Sequence, residues 1–139
     1  MTISRTLIGL FAAILIAPIA TPKCISLRIV VRGRVAGSSA GNPKLSLQIA
    51  SATRPEALQT VRQEVSLKDG RFEVTGWFNE ASDTATEEVC DRLPGLVVIT
   101  LGDSTGNTDR QQLEIQRDFR RTKHGYQTIK PIILRMDSH

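Results

Sequence analysis

Cysteine, histidine and aromatic residues are scarce in this 139-residue chain, and each scarcity closes a door. Two cysteines cannot staple a disulfide-dense miniprotein, and with only two histidines they leave little for a zinc site. One Trp, one Tyr and four Phe are too few to interleave as base-stacking platforms, so single-stranded nucleic acid is not an expected partner. No apolar run reaches the roughly 20 residues that a membrane-spanning helix needs. Ten Gly and six Pro exclude collagen-like and linker compositions. What remains is an ordinary globular mix with 18 Lys+Arg against 14 Asp+Glu, a net charge of +4 and length for one domain.

The N-terminus carries an address. Arg5 precedes a 14-residue stretch, Leu7 to Ala20, without a polar side chain. A short basic segment followed by an apolar one of this length has the pattern of a secretory signal peptide, with small residues at Ala17 and Ala20 near its end. Pro18 breaks the far end of any helix there. Residues 1–20 are therefore expected to be a signal helix, with an uncleaved membrane anchor through residues 7–20 as the alternative. Thr21-Pro22-Lys23 before Cys24 lacks the aliphatic and small residues of a lipobox. A secreted or periplasmic location makes a Cys24–Cys90 disulfide the expected use of the only two cysteines. Such a bridge closes a long loop and is worth roughly 4–5 kcal/mol in the chain-entropy model.

The rest of the chain reads as short strands. Leu27, Ile29, Val31 and Val35 alternate with Arg28, Val30, Arg32 and Arg34, which sends the arginines to one face. Leu45, Leu47 and Ile49 alternate in the same way after the loop 37–43, and residues 52–59, with Pro55, read as a connection. Asp69-Gly70 is the dipeptide favoured in a two-residue type I′ hairpin. Centring the hairpin there puts Leu67 opposite Phe72, Val65 opposite Val74 and Val61 opposite Phe78 on one side. Ser66–Glu73, Glu64–Thr75 and Arg62–Trp77 fall on the other, with a cation–π contact expected in the last pair. Residues 79–91 hold five acids and no Lys or Arg, a solvated loop without calcium-site spacing. Residues 96–101 form a buried-type strand. Residues 111–117 suit a strand, although Ile115 and Phe119 also suit a helix, and Pro131 demotes the run 126–135 to an edge or bulged strand. About seven strands with turns between them predict an all-β sandwich spanning residues 24–135, with residues 136–139 a tail.

The order of these short motifs, which mostly report turn physics, carries a family resemblance. Val31-Arg-Gly33-Arg-Val35 is followed by Asn42-Pro43 and a strand, then by Val65-Ser-Leu-Lys-Asp-Gly70-Arg-Phe72-Glu-Val74, and finally by Tyr126-Gln-Thr-Ile129 and Ile132-Ile-Leu134. Over residues 26–135 the chain resembles the transthyretin-like and carboxypeptidase-regulatory-like β-sandwiches. That resemblance implies a Greek-key, Ig-like sandwich acting as a binding, accessory or assembly module. The hydroxyisourate hydrolases of that superfamily need converging histidines, an arginine and a terminal Tyr-Arg-Gly-Ser. Here Tyr126-Gln-Thr-Ile stands instead, and the histidines are His124, in a turn, and His139. No catalytic residue carries over.

Two stretches imitate hydrolases. Gly37-Ser-Ser-Ala-Gly41 fits G-x-S-x-G but leads into Asn42-Pro43 and a strand, where the nucleophile elbow requires a helix. Gly102-Asp103-Ser104 resembles the Gly-Asp-Ser block of secreted esterases, in which Ser104 would be the nucleophile. No Asp-x-x-His follows it, and Asp137-Ser138-His139 has the wrong spacing. A small serine esterase using that turn is the alternative reading. The leading one is an exported, non-catalytic binding module without cofactor or metal. Arg28, Arg32 and Arg34 form its candidate partner face, joined by a C-terminal stretch, 110–135, with seven Lys and Arg against Glu114 and Asp118. The expected partner is an anionic polymer, lipid headgroups or an acidic protein surface, and self-association into a homo-oligomer is compatible with this reading.

Overall fold

Alternating side chains along the strands leave each sheet with one apolar face, and two such sheets bury those faces against each other. The computed structural model describes residues 26–37, 42–79 and 93–136. The expected signal helix, both cysteines, the acidic loop from Glu80 onward, residues 38–41 and the last three residues lie outside the described residues.

The protein is an all-β sandwich. Its strands are β1 (Leu27–Ala36), β2 (Lys44–Ser51), β3 (Gln59–Thr60), β4 (Arg62–Lys68), β5 (Arg71–Phe78), β6 (Pro94–Gly102), β7 (Thr108–Glu114), β8 (Phe119–Arg121), β9 (Gly125–Thr128) and β10 (Ile132–Arg135). A single helical turn, α1 (Ile115–Asp118), joins β7 to β8. One sheet runs β4-β5-β1-β9-β8, with β10 continuing along β1 beyond β9, and the other runs β3-β2-β6-β7. Ile29, Val31, Phe72, Val74 and Leu134 of the first sheet meet Leu45, Leu47, Ile49, Val97, Ile99 and Leu101 of the second in one apolar core. Met136 is buried in that core and donates its N–H to the Ala36 carbonyl (2.8 Å), so the packed domain extends one residue past the expected boundary at 135.

Ten strands replace the expected seven for identifiable reasons. The chain of β3 and β4 is nearly continuous but changes sheets at Val61, a corner that packs against the core. The stretch 111–121 is both of the structures its sequence suits: strand to Glu114, one helical turn, then strand from Phe119. The turn carries the chain from the second sheet to the first. Asp118 holds it by accepting the Glu114 N–H (2.8 Å) and an Arg117 guanidinium hydrogen bond (3.0 Å). That guanidinium keeps the Asp118 carboxyl below the ordinary carboxylate range.

The run 126–135 is divided by Lys130-Pro131 into two strands, both parallel to β1. Arg28 pairs with Gly125 and Val30 with Gln127, whereas Gly33 pairs with Ile132. Two more residues are therefore spent on the late strands than on β1, a bulge in the place where Pro131 cannot donate to a ladder. The Thr128 hydroxyl fills the gap by accepting the Arg32 N–H at 3.1 Å.

The β4–β5 hairpin has the expected register from Arg62–Trp77 to Lys68–Arg71. Its turn is left-handed at both central residues, Asp69 (φ 54°) and Gly70 (φ 76°). Replacing Gly70 by Val puts a β-branched side chain in that conformation and should cost about 1–2 kcal/mol in a thermal melt. A variant melting with the parent would mean that the turn tolerates another geometry. The apolar side of β4 departs from expectation: Val65 and Leu67 are 45% and 38% exposed. Beyond β2 the second sheet has only the two-residue β3, which pairs with Gln48 and Ile49 and leads into the Arg62 end of β4, so Val65 and Leu67 toward the turn overhang their cover.

Candidate functional site

The outward face of the first sheet collects the cations. Cross-strand pairing aligns its side chains in rows across β4, β5 and β1: Arg62–Trp77–Arg28, Glu64–Thr75–Val30, Ser66–Glu73–Arg32 and Lys68–Arg71–Arg34. The last row continues to Ile133 of β10. Arg28, Arg32 and Arg34 thus lie on one exposed face, as their spacing predicts, but the structure assigns them different surroundings.

Arg28 flanks Trp77, whose ring carries the Arg62 guanidinium 4.0 Å from its centroid. Arg32 is paired with Glu73, Nε to Oε2 at 2.8 Å. Arg34 stands in a row of three cations. Because Lys68 and Arg71 flank a two-residue turn they form a hydrogen-bonded pair, which makes the neighbouring Arg34–Arg71 pair a non-hydrogen-bonded one with its side chains closer together. Among the described residues none of these three cations has an ion-pair partner. Like charges directly opposite each other are destabilising in a sheet, so this row is an electrostatic expense of the fold.

The row borders a broad, open concavity of about 1310 Å³ that Lys130, Pro131 and Ile133 also line, together with Asp69 and the Glu73 that pairs with Arg32. Lys130, in the segment that divides the late strands, adds a fourth cation to that lining. Lys68 and Arg71 were legible as opposed like charges from the hairpin register. Their alignment with Arg34 was not, because it depends on the long-range pairing of β1 with β5.

The esterase alternative fares differently. The Asp103 carboxylate is held inside its own turn, where Oδ1 accepts the N–H groups of Thr105 (2.9 Å) and Asn107 (3.0 Å). Ser104 is exposed beside a hollow of about 530 Å³ lined by Lys44, Ser46 and Thr100. This turn lies at the Ala36 end of the sandwich, tied there by Asp109, whose Oδ2 accepts the Arg135 N–H (2.7 Å). His124 lies at the other end, where its carbonyl accepts the Arg28 N–H (2.9 Å). Eight residues of β1 separate those ends, about 26 Å at the rise of a strand. The fold does not bring Ser104 and His124 together, and His139 lies outside the described residues.

Among the described residues no group of three His, Cys, Asp or Glu side chains is placed to hold a metal ion. No helix among them is long and apolar enough to cross a membrane. Comparison with protein-family models, curated proteins and solved structures finds no match to this chain.

Proposed function

We propose that this protein is an exported, non-catalytic β-sandwich binding module, of the transthyretin-like kind that its motifs resemble, and that its basic sheet face holds an extended anionic polymer. The observation that carries the reading is the row Lys68–Arg71–Arg34, three adjacent cations without ion-pair partners among the described residues, bordering a concavity that Lys130 also lines. Neighbouring strands lie about 4.8 Å apart, so the row sets out positive charge at a spacing that successive anionic groups of a polymer can follow. Arg32 and Arg28 continue the charge along β1.

The test separates binding from stability. The probe is an acidic polysaccharide, with anionic phospholipid vesicles and an acidic polypeptide as comparison arms. Affinity for the polysaccharide should fall as salt rises, because the contacts are exposed. Reversing Arg28, Arg32 and Arg34 to Glu should weaken it at least about tenfold. Arg71→Thr should weaken binding while the thermal midpoint stays level or rises slightly, since it relieves the like-charge pairs with both Lys68 and Arg34, each worth roughly 0.2–1 kcal/mol. Binding that ignores salt and these substitutions sinks the reading, and tighter capture by the vesicles or the polypeptide reassigns the partner.

A further inference from the structure

Among the described residues β4 is an edge strand with exposed apolar side chains, and the edge it turns away from β5 is patterned for a second copy of itself. The other seven-residue edge strand, β7, exposes Thr108, Arg110, Gln112 and Glu114 and no apolar side chain. β4 instead leaves Val65 and Leu67 uncovered on the side facing the overhang. Since Lys68 and Arg71 form a hydrogen-bonded pair, so do Ser66–Glu73 and Glu64–Thr75. The N–H and C=O groups of Val65 and Leu67 therefore point away from β5, toward the open edge. A long edge with apolar side chains and free ladder groups is a template for another strand.

The charges on β4 choose among the possible pairings. Antiparallel self-pairing must oppose odd-numbered residues to odd-numbered ones, because these carry the free ladder groups. With Ser66 opposite Ser66 of the second copy, Val65 of each copy meets Leu67 of the other. Glu64 of each copy then meets Lys68 of the other. Two opposite-charge pairs and two apolar pairs form at once, related by the dyad. Sliding by one step of the ladder in one direction puts Arg62 against Lys68, and in the other direction leaves Glu64 against Gly70. One register is selected.

We infer that the protein self-associates through β4 as an antiparallel, two-fold symmetric dimer centred on Ser66. The two six-stranded sheets then become one continuous sheet. A dyad perpendicular to that sheet leaves both basic faces on the same side, with Arg34 and Arg71 of each copy still open. The contact is a single strand edge, smaller than a standard stable interface, so the dimer is weak and concentration-dependent.

Sedimentation equilibrium of the purified protein, from micromolar concentration upward, tests this. The parent should follow a monomer–dimer equilibrium. Glu64→Lys and Lys68→Glu should each weaken association about tenfold or more, because each turns both symmetric charge pairs repulsive. The double variant Glu64→Lys/Lys68→Glu should recover the dimer. Both sites are exposed, and circular dichroism should show unchanged folding in all three. Amide exchange gives an independent readout: the Val65 and Leu67 amides should gain protection as concentration rises. A parent that stays monomeric, a dimer indifferent to either reversal, or a double variant that fails to recover would each overturn the inference.

Discussion

Gly33→Ala should destabilise the fold by about 3 kcal/mol or more, the upper range for overpacking a core, because the group it strikes is backbone. Gly33 lies on the inward side of β1, paired with Phe72 on one flank and Ile132 on the other. A Cβ there would run into the Ile132 carbonyl oxygen and come 2.6 Å from the Phe72 ring. The ring tip can shift only by disturbing a buried side chain. The Ile132 carbonyl can shift only by moving β10 off β1. Alanine normally gains about 0.5–1 kcal/mol over glycine in a strand, which is too little to offset that displacement. Gly102→Ala is the matched control, since the nearest atom to its Cβ is 3.7 Å away, an ordinary contact. Urea melts should place that variant within about 0.5 kcal/mol of the parent. If the two variants melt alike, the close packing of β10 on Gly33 is wrong.

Thr128→Val should cost roughly 1–3 kcal/mol, although it is nearly isosteric and sits at a buried position. The hydroxyl is the acceptor for the Arg32 N–H at the bulge, and a methyl group in its place strands that donor. Thr128→Ser keeps the oxygen and should recover most of the loss. Amide exchange distinguishes this cause from poorer packing. Protection at Arg32 should fall in the Val variant and return in the Ser variant, while Val31 and Gly33 change little. Equal loss in the Val and Ser variants would point to the methyl group instead.

Those two sites show where the sequence could be read and where it could not. The Asp69-Gly70 turn prescribes its own neighbours, so the β4–β5 register followed from local chemistry alone. Pro131 announced an interruption, but nothing nearby says that the strands on either side both run parallel to β1. That pairing joins Arg28 to Gly125 across most of the chain, and Gly33 looks like an ordinary weak point in a strand until Ile132 lies beside it. Val65 and Leu67 fit the core pattern and are exposed all the same, because the pattern records which side a residue faces and not whether anything covers that side. The arginine face was legible from alternation along β1. Its most charged row was not, since Arg34 meets Arg71 only through tertiary pairing.

The central position of β1 also fixes the order in which the molecule can assemble. On one flank it pairs with β9 and β10, far along the chain from it (Arg28 with Gly125, Gly33 with Ile132), so that flank stays without these partners until both strands are made. Such long-range pairing raises the contact order, and stopped-flow refolding should accordingly be slow, in the millisecond-to-second range typical of β-sandwiches. The hairpin can form early and alone. The sandwich cannot close on that flank until β9 and β10 are free to pair with β1, whatever the rest of the chain has already formed.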